Sequence, residues 1–163
     1  CELPVVLAAL LWPLGEESAS FDDRVDLLTD RWRLTNHENK LTKWLLEHVD
    51  VVRSAATTPW PQLQRILIHS HAAELIALSE AIEVATQGDA ADLAGCQLAE
   101  ERRLWPPERL NPPPLINGHD LKDVGVQPGP EMGRWLDAVR NVQLEGGLAS
   151  REEALDWIRE RRA

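Results

Sequence analysis

Few residues of this chain have the type and spacing to perform chemistry. The five histidines are His37, His48, His69, His71 and His119, and a metal ion would need three or four ligands brought to one point. Only His69 with His71, and His119 with Asp120, are close in sequence. His69 and His71 lie two residues apart around an expected helix break, and residues two apart do not share a helix face, so both are read as structural. His119 and Asp120 are read the same way, with Asp120 as the N-cap of a short helix beginning at Leu121. Cys1 and Cys96 make no metal-ligand spacing and are expected to be reduced thiols of a cytoplasmic protein. The sequence therefore assigns no catalytic residue and no metal ligand.

The other available chemistry is contact with phosphate. Arg31, Arg33, Lys40 and Lys43 gather around the Thr35-Asn36 turn, where the amides of a helix start could also meet an anion. Arg102, Arg103, Arg109, Lys122, Arg134, Arg140, Arg151, Arg159, Arg161 and Arg162 follow. Against this stands the overall balance, 17 Lys and Arg to 27 Asp and Glu and a net charge of −10, the wrong sign for gripping nucleic acid by charge alone. Residues 1–60 carry 6 basic and 10 acidic groups (−4), residues 61–110 carry 4 and 8 (−4), and residues 111–163 carry 7 and 9 (−2). The tail is the least acidic stretch. The competing reading of every cluster is a solvated helix face paired with neighbouring acids.

Helices must position these groups. Tyrosine is absent and phenylalanine occurs once, while there are seven tryptophans and abundant Leu, Ala, Glu and Arg, all good helix formers. The expected fold is all-α. Residues 2–14 are apolar on nearly all sides, as a core helix would be, and Pro13 with Gly15 stops them. The apolar run is too short to span a bilayer, no basic segment precedes it as in a signal peptide, and a start in mid-helix looks like a fragment boundary. Val25, Leu28 and Trp32 make one stripe on residues 21–34. Thr35 and Glu38 form a T-x-x-E capping box for a helix through residue 52. Trp60-Pro61 opens a helix to about residue 70, residues 71–86 follow with Leu75, Ile76, Leu78, Ile82 and Val84, and Asp89 or Asp92 begins a helix to about residue 104.

After residue 105 the composition shifts. Seven prolines between residues 106 and 130 predict an extended, stiff segment and then tight turns, so the chain is read as a body, 1–105, and a tail module, 106–163. Asn117-Gly118 is a turn signal, residues 120–124 can make one or two helical turns closed by Gly125, and Pro130 starts a longer helix. Gly146-Gly147 breaks the chain, and Ser150 with Glu153 caps a last helix. Residues 124–133 loosely suggest a helix-hairpin-helix phosphate loop, although Gly125 as a helix terminator and Pro130 as a first-turn residue suffice to explain them. Trp44, Trp135 and Trp157 fall on apolar stripes. Trp12, Trp60 and Trp105 stand beside prolines, where stacking on an unpaired base is the alternative to packing.

Residues 110–155, reading LNPPPLINGHDLKDVGVQPGPEMGRWLDAVRNVQLEGGLASREEAL, closely resemble the C-terminal end of bacterial tRNA nucleotidyltransferases (CCA-adding enzymes) and poly(A) polymerases. The resemblance combines the PPPLINGHDL turn, the GVQPGPEMG hairpin, the QLEGG helix end and the SREEAL cap in one order. A second stretch, RWRLTNHENKLTKWLLEHV at residues 31–49, is similar to the helix entry R-L-(S/T)-N-x-E of the same family's body.

The resemblance implies a multi-helix bundle, a degenerate HD-like body followed by a smaller helical tail, that positions RNA without performing chemistry. The family's catalytic head carries a Gly-rich triphosphate cradle and paired carboxylates for Mg²⁺. This sequence shows neither, so Mg²⁺ and a nucleoside triphosphate are expected only in a missing N-terminal catalytic domain, with tRNA or other RNA 3′ ends as partners through the parent enzyme. Many members also have a helix ending in A-L-L-H-D-x-G whose His and Asp hold a metal. Here Trp12 and Pro13 stand in that doublet's place, and neither can ligate. The candidate RNA contacts are Arg31, Arg33, Asn36, Lys40, Lys43, Asn117, Gly118, Lys122, Gly129, Arg134, Arg140 and Arg151. Two alternatives remain, a stand-alone helical protein-interaction scaffold and a degenerate HD-type phosphohydrolase that keeps a nucleotide pocket.

Overall fold

A computed structural model describes residues 2–14 and 20–162; the expected stop at Gly15 lies outside the described residues. Helices account for 74% of the described residues, in the order α1 (Leu3–Leu11), α2 (Phe21–Trp32), α3 (Asn36–Arg53), α4 (Trp60–Leu67), α5 (Ala72–Gln87), α6 (Ala94–Arg103), α7 (Pro107–Leu110), α8 (Gly118–Asp123), α9 (Pro130–Leu144) and α10 (Arg151–Arg162). Among the described residues there is no strand. The all-α reading holds. No described helix is long and apolar enough to cross a membrane.

The chain falls into two compact units, Cys1–Pro59 with Arg65–Trp105, and Trp60–Gln64 with Pro106–Ala163, so that α4 is divided between them. In the first unit α3 is the central element, packed by α1, α2, α5 and α6. Its Leu45, Val49 and Val52 have no exposed surface, and burial of each such side chain contributes about 1.5–3 kcal/mol. The T-x-x-E box forms as the sequence predicts: Thr35 Oγ1 accepts from the Glu38 N–H at 3.2 Å, and Glu38 Oε2 accepts from the Thr35 N–H at 2.7 Å. The Thr35 N–H, and then the Thr35 hydroxyl, which donates to Glu38 Oε2 at 2.8 Å, hold the Glu38 carboxyl below its ordinary pKa. Ser20 caps α2 by accepting from the Asp23 N–H, and Asp22 and Asp23 suit the positive end of that helix.

Several apolar expectations change in the first unit. The helix at the start of the chain buries one face only, Pro4, Leu7, Ala8 and Leu11, because α3 and α5 are the helices it packs on. Leu10 on its outer side is 62% exposed. Trp32 is 54% exposed although it lies on the stripe of Val25 and Leu28, since the left-handed Arg33 (φ 55°) turns the chain away directly after it. Val84 is also half exposed. The helix expected from Asp89 or Asp92 starts at Ala94, with Asp92 Oδ1 accepting from the Ala94 N–H.

Cys96 is buried and forms no disulfide. Burial, reinforced by Glu80 and Glu83, pushes its thiol up to about 11. The thiolate is the reactive form, so native protein at pH 8 is expected to leave Cys96 unlabelled by iodoacetamide over hours and to label it within minutes in denaturant. Peptide mapping reads this directly; prompt native labelling would contradict the packing of α6.

The second unit has its own core of Ile116, Leu121, Val126, Val139, Leu148, Ala154, Leu155 and Ile158, with Met132, Trp135 and Trp157 packed against it. Its proline segment is not extended throughout. Pro107 opens the single turn of α7, where its fixed φ is already helical. The following residues are held by polar side chains: Gln64 Nε2 donates to Leu110 O and Asn111 Oδ1, and Gln143 Nε2 donates to Pro113 O. Ser150 Oγ accepts from the Glu153 N–H, but Glu153 reaches back to the Ala149 N–H.

Candidate nucleic-acid interface

The residues expected to meet RNA in the first unit lie at the junction of α2 and α3. Arg31 is in the last turn of α2, Arg33 is its left-handed C-cap, and Asn36 is the first residue of α3. Together with Lys40 these side chains are exposed. Lys43 is half-buried and held, its Nζ lying 2.8 Å from Asp26 Oδ1 and 3.9 Å from Asp22 Oδ1. Asn39 donates to the same Asp26 and to Thr29. The hydrogen bond to Lys43, and then that to Asn39, lowers the Asp26 pKa. Lys43 therefore staples α2 to α3, a task that spacing along one helix cannot reveal.

In the second unit the same division appears. Lys122 and Arg134 are exposed. Arg140 is committed inside the unit, donating to Pro112 O at 2.7 Å, Asn111 Oδ1 at 2.8 Å and Gln143 Oε1 at 2.9 Å. Arg151 is half exposed, and its Nε donates to Asp120 Oδ1 at 2.8 Å. Asp120 does not cap a helix starting at Leu121. Asn117 is the N-cap of α8, its Oδ1 accepting from the His119 and Asp120 N–H groups, while Asp120 Oδ2 accepts from the Asn117 N–H. The sequence rule missed this because Asn117-Gly118 reads equally as a turn, and an Asn three residues before an Asp is a reciprocal cap in its own right. The Asn117 amide, followed by the Arg151 guanidinium, lowers the Asp120 pKa.

The two glycines of the candidate set serve the backbone. Gly118 lies where a Cβ would come within 3.3 Å of Met132 Sδ, and Gly129 precedes Pro130 with φ 150°, a region closed to other residues without strain. Gly125 (φ 82°) follows the α8 C-cap Val124, and the Val126 N–H closes the turn onto Leu121 O. The tryptophans also sort themselves. Trp12 stacks on Phe21 at 5.7 Å, and Trp157 lies under the Arg161 guanidinium and edge-on to Trp135.

One constellation escaped the sequence entirely. His37 of α3, with His69 and His71 of the α4–α5 connection, converges around Trp44: His69 stacks on Trp44 with centroids 3.9 Å apart, and His71 lies 5.7 Å from His69 and 6.0 Å from His37. His48 stacks on Trp44 as well, at 5.0 Å. His37, Lys40, Leu41, Trp44, His69, Ser70 and His71 line a surface pocket of about 270 Å³. Spacing within single helices could not show it, because the cluster is assembled by packing between elements. Among the described residues no group of three or more His, Cys, Asp or Glu is arranged to hold a metal ion.

Comparison with known proteins bears on the whole chain. Residues 8–158 match the family model for tRNA nucleotidyltransferase domain 2. A CCA-adding enzyme of Streptococcus thermophilus (strain CNRZ 1066) is 43% identical over 42 residues, which cover 25% of this chain and 10% of that enzyme. No solved structure matches. Because the family model spans both helical units, the chain belongs to the tRNA nucleotidyltransferase domain 2 family.

Proposed function

We propose that this chain is a helical, RNA-positioning part of a tRNA nucleotidyltransferase-type protein, one that holds tRNA or another RNA 3′ end while a separate catalytic domain transfers nucleotides. The observation that carries the reading is the family match over residues 8–158. The exposed cations at the α2–α3 junction and on α8 and α9 support it. On this reading Mg²⁺ and the nucleoside triphosphate belong to the catalytic domain, and the protein works in the cytoplasm. With a net charge of −10, the grip is local, and each phosphate contacted contributes about one unit of salt slope.

Among the twelve candidate contacts, exposed and committed side chains should behave differently. Replacing Arg33 and Lys40 together by alanine is expected to weaken tRNA binding and to reduce the slope of log affinity against log salt by about 1–2, with little change in melting temperature. Lys43→Ala and Arg140→Ala are expected to lower the melting temperature, because each removes a staple. Mobility shift of tRNA at low and moderate salt, on this chain and on a longer protein that includes a catalytic domain, tests the reading. If neither species retards tRNA at low salt, the RNA role is wrong.

A further inference from the structure

The histidine pocket belongs to no role assigned so far. It is built where two helices begin: His37 and Lys40 lie in the first turns of α3, and His71 is the N-cap of α5. Helix N-termini carry partial positive charge and amides that favour an anion. Trp44 already stacks with His48 and His69, so the pocket offers nitrogen donors rather than a bare aromatic face. His69 Nδ1 accepts from the His71 N–H at 3.2 Å, which places the proton of its neutral ring on Nε2 and makes that ring a donor without charge. Burial, and then the neighbouring His71 and His48, lowers the His69 pKa, consistent with that role. His71 Nδ1 is buried with no hydrogen-bond partner among the described residues.

We propose that this pocket binds a phosphate group, strengthened by acidification, with His37, Lys40 and His71 supplying charge and His69 a neutral donor. The groups facing it set the sign of the pH dependence. Glu38, whose carboxylate is occupied by the Thr35 cap, acts on His37, and Glu74 Oε1 lies 3.9 Å from His71 Nδ1. Glu74 is also felt by Arg103 of α6, which is paired with Glu100. Glu47 lies 3.9 Å from His48 beyond Trp44. With the imidazoles neutral, Lys40 against Glu38 and Glu74 leaves the pocket at −1; protonating His37 and His71 takes it to +1. An anion is therefore repelled when both imidazoles are neutral and attracted when both carry a proton, as acidification favours. The pocket has room for a phosphate with its sugar, and the ligand is either a backbone phosphodiester of RNA or the phosphate of a free nucleotide. The site deepens the RNA reading if the diester is preferred, and stands without it if the nucleotide is.

The test is amide NMR titration of the whole chain with dimethyl phosphate, whose charge does not change between pH 5.5 and 8.0, alongside AMP and tRNA. We expect dimethyl phosphate to shift signals of residues 37–48 and 69–74, with affinity about tenfold higher at pH 5.5 than at pH 8.0. His37→Gln and Lys40→Gln, both at exposed positions, should each reduce the binding at pH 5.5 several-fold and flatten its pH dependence while leaving the spectrum folded. Tighter AMP than diester binding identifies a nucleotide site, and tRNA perturbing the same residues identifies an RNA site; both uphold the phosphate assignment. Identical shifts from sodium chloride at equal ionic strength, no pH dependence, or indifference to both substitutions would overturn it. Retardation of tRNA that persists unchanged in those variants would exclude the pocket as an RNA site and leave the RNA role standing.

Discussion

Gly95→Ala is expected to destabilise the protein by about 3 kcal/mol, the opposite of what helix propensity alone predicts. Inside a helix, alanine is favoured over glycine by about 1 kcal/mol, and Gly95 is the second residue of α6. A Cβ at this position, however, would lie 1.9 Å from Arg53 O, 2.6 Å from Arg53 C and 3.0 Å from Val52 O. All three are backbone atoms of the end of α3, so no rotamer change can relieve the overlap. α6 would have to withdraw from α3, loosening Cys96 and Ala99, which have no exposed surface, and disturbing Arg53, whose guanidinium pairs with the buried Glu83. Gly133→Ala provides the control, because α9 leaves nothing within 4 Å of a Cβ there; it is expected to be neutral or stabilising by up to about 1 kcal/mol. Chemical denaturation compares the two through the midpoint at constant slope. A Gly95→Ala protein as stable as its parent would show that α3 and α6 do not approach as described.

The second large effect is expected at Leu121. α8 has six residues, too few to be stable by hydrogen bonding alone, so it is held by what it buries. Leu121 is fully buried among Ile116, Val126, Val139, Leu155 and Ile158. Truncation to alanine removes the transfer free energy of the lost methyl groups and leaves a cavity, a combined cost of about 3–4 kcal/mol. The loss should also appear as faster hydrogen exchange in α8, because Asp120, with its bonds to Asn117 and Arg151, follows Leu121 out of register. Leu104→Ala, at a position 67% exposed, should change stability by less than about 0.5 kcal/mol. Equal effects at the two positions would mean that the second unit is not organised around α8.

Much of the architecture was legible in local patterns. Thr35 and Glu38 announced the start of α3 because both partners of the cap lie within one turn, and the stripe Leu41, Trp44, Leu45, Val49 and Val52 followed from helical periodicity, a property of adjacent turns, although Trp44 alone of the five is left only partly buried and lines the histidine pocket. The order of motifs in residues 110–155 carried the family, which the match over residues 8–158 bears out. Local patterns misled where a neighbour that they do not encode decided the outcome. Leu10 and Trp32 are apolar yet exposed, since a face is buried only if another helix covers it. Asp120 was read as a cap for the wrong residue, because Asn117-Gly118 satisfies the rules of a turn and of a helix start equally well.

The candidate site divided along the same line. A count of cations found Arg31, Arg33 and Lys40, but only packing separated them from Lys43 and Arg140, whose partners Asp26 and Pro112 lie 17 and 28 residues away. The histidines were the extreme case, read as structural because His69 and His71, two apart around a helix break, do not share a helix face and no ligand spacing links the others. The all-helical fold, the Thr35–Glu38 cap of α3 and the family could be read along the chain, since each depends on residues within a few turns or on motif order. Only the tertiary structure decided which charges are spent and that His37, His69 and His71 meet around Trp44, because those facts depend on which helix faces which.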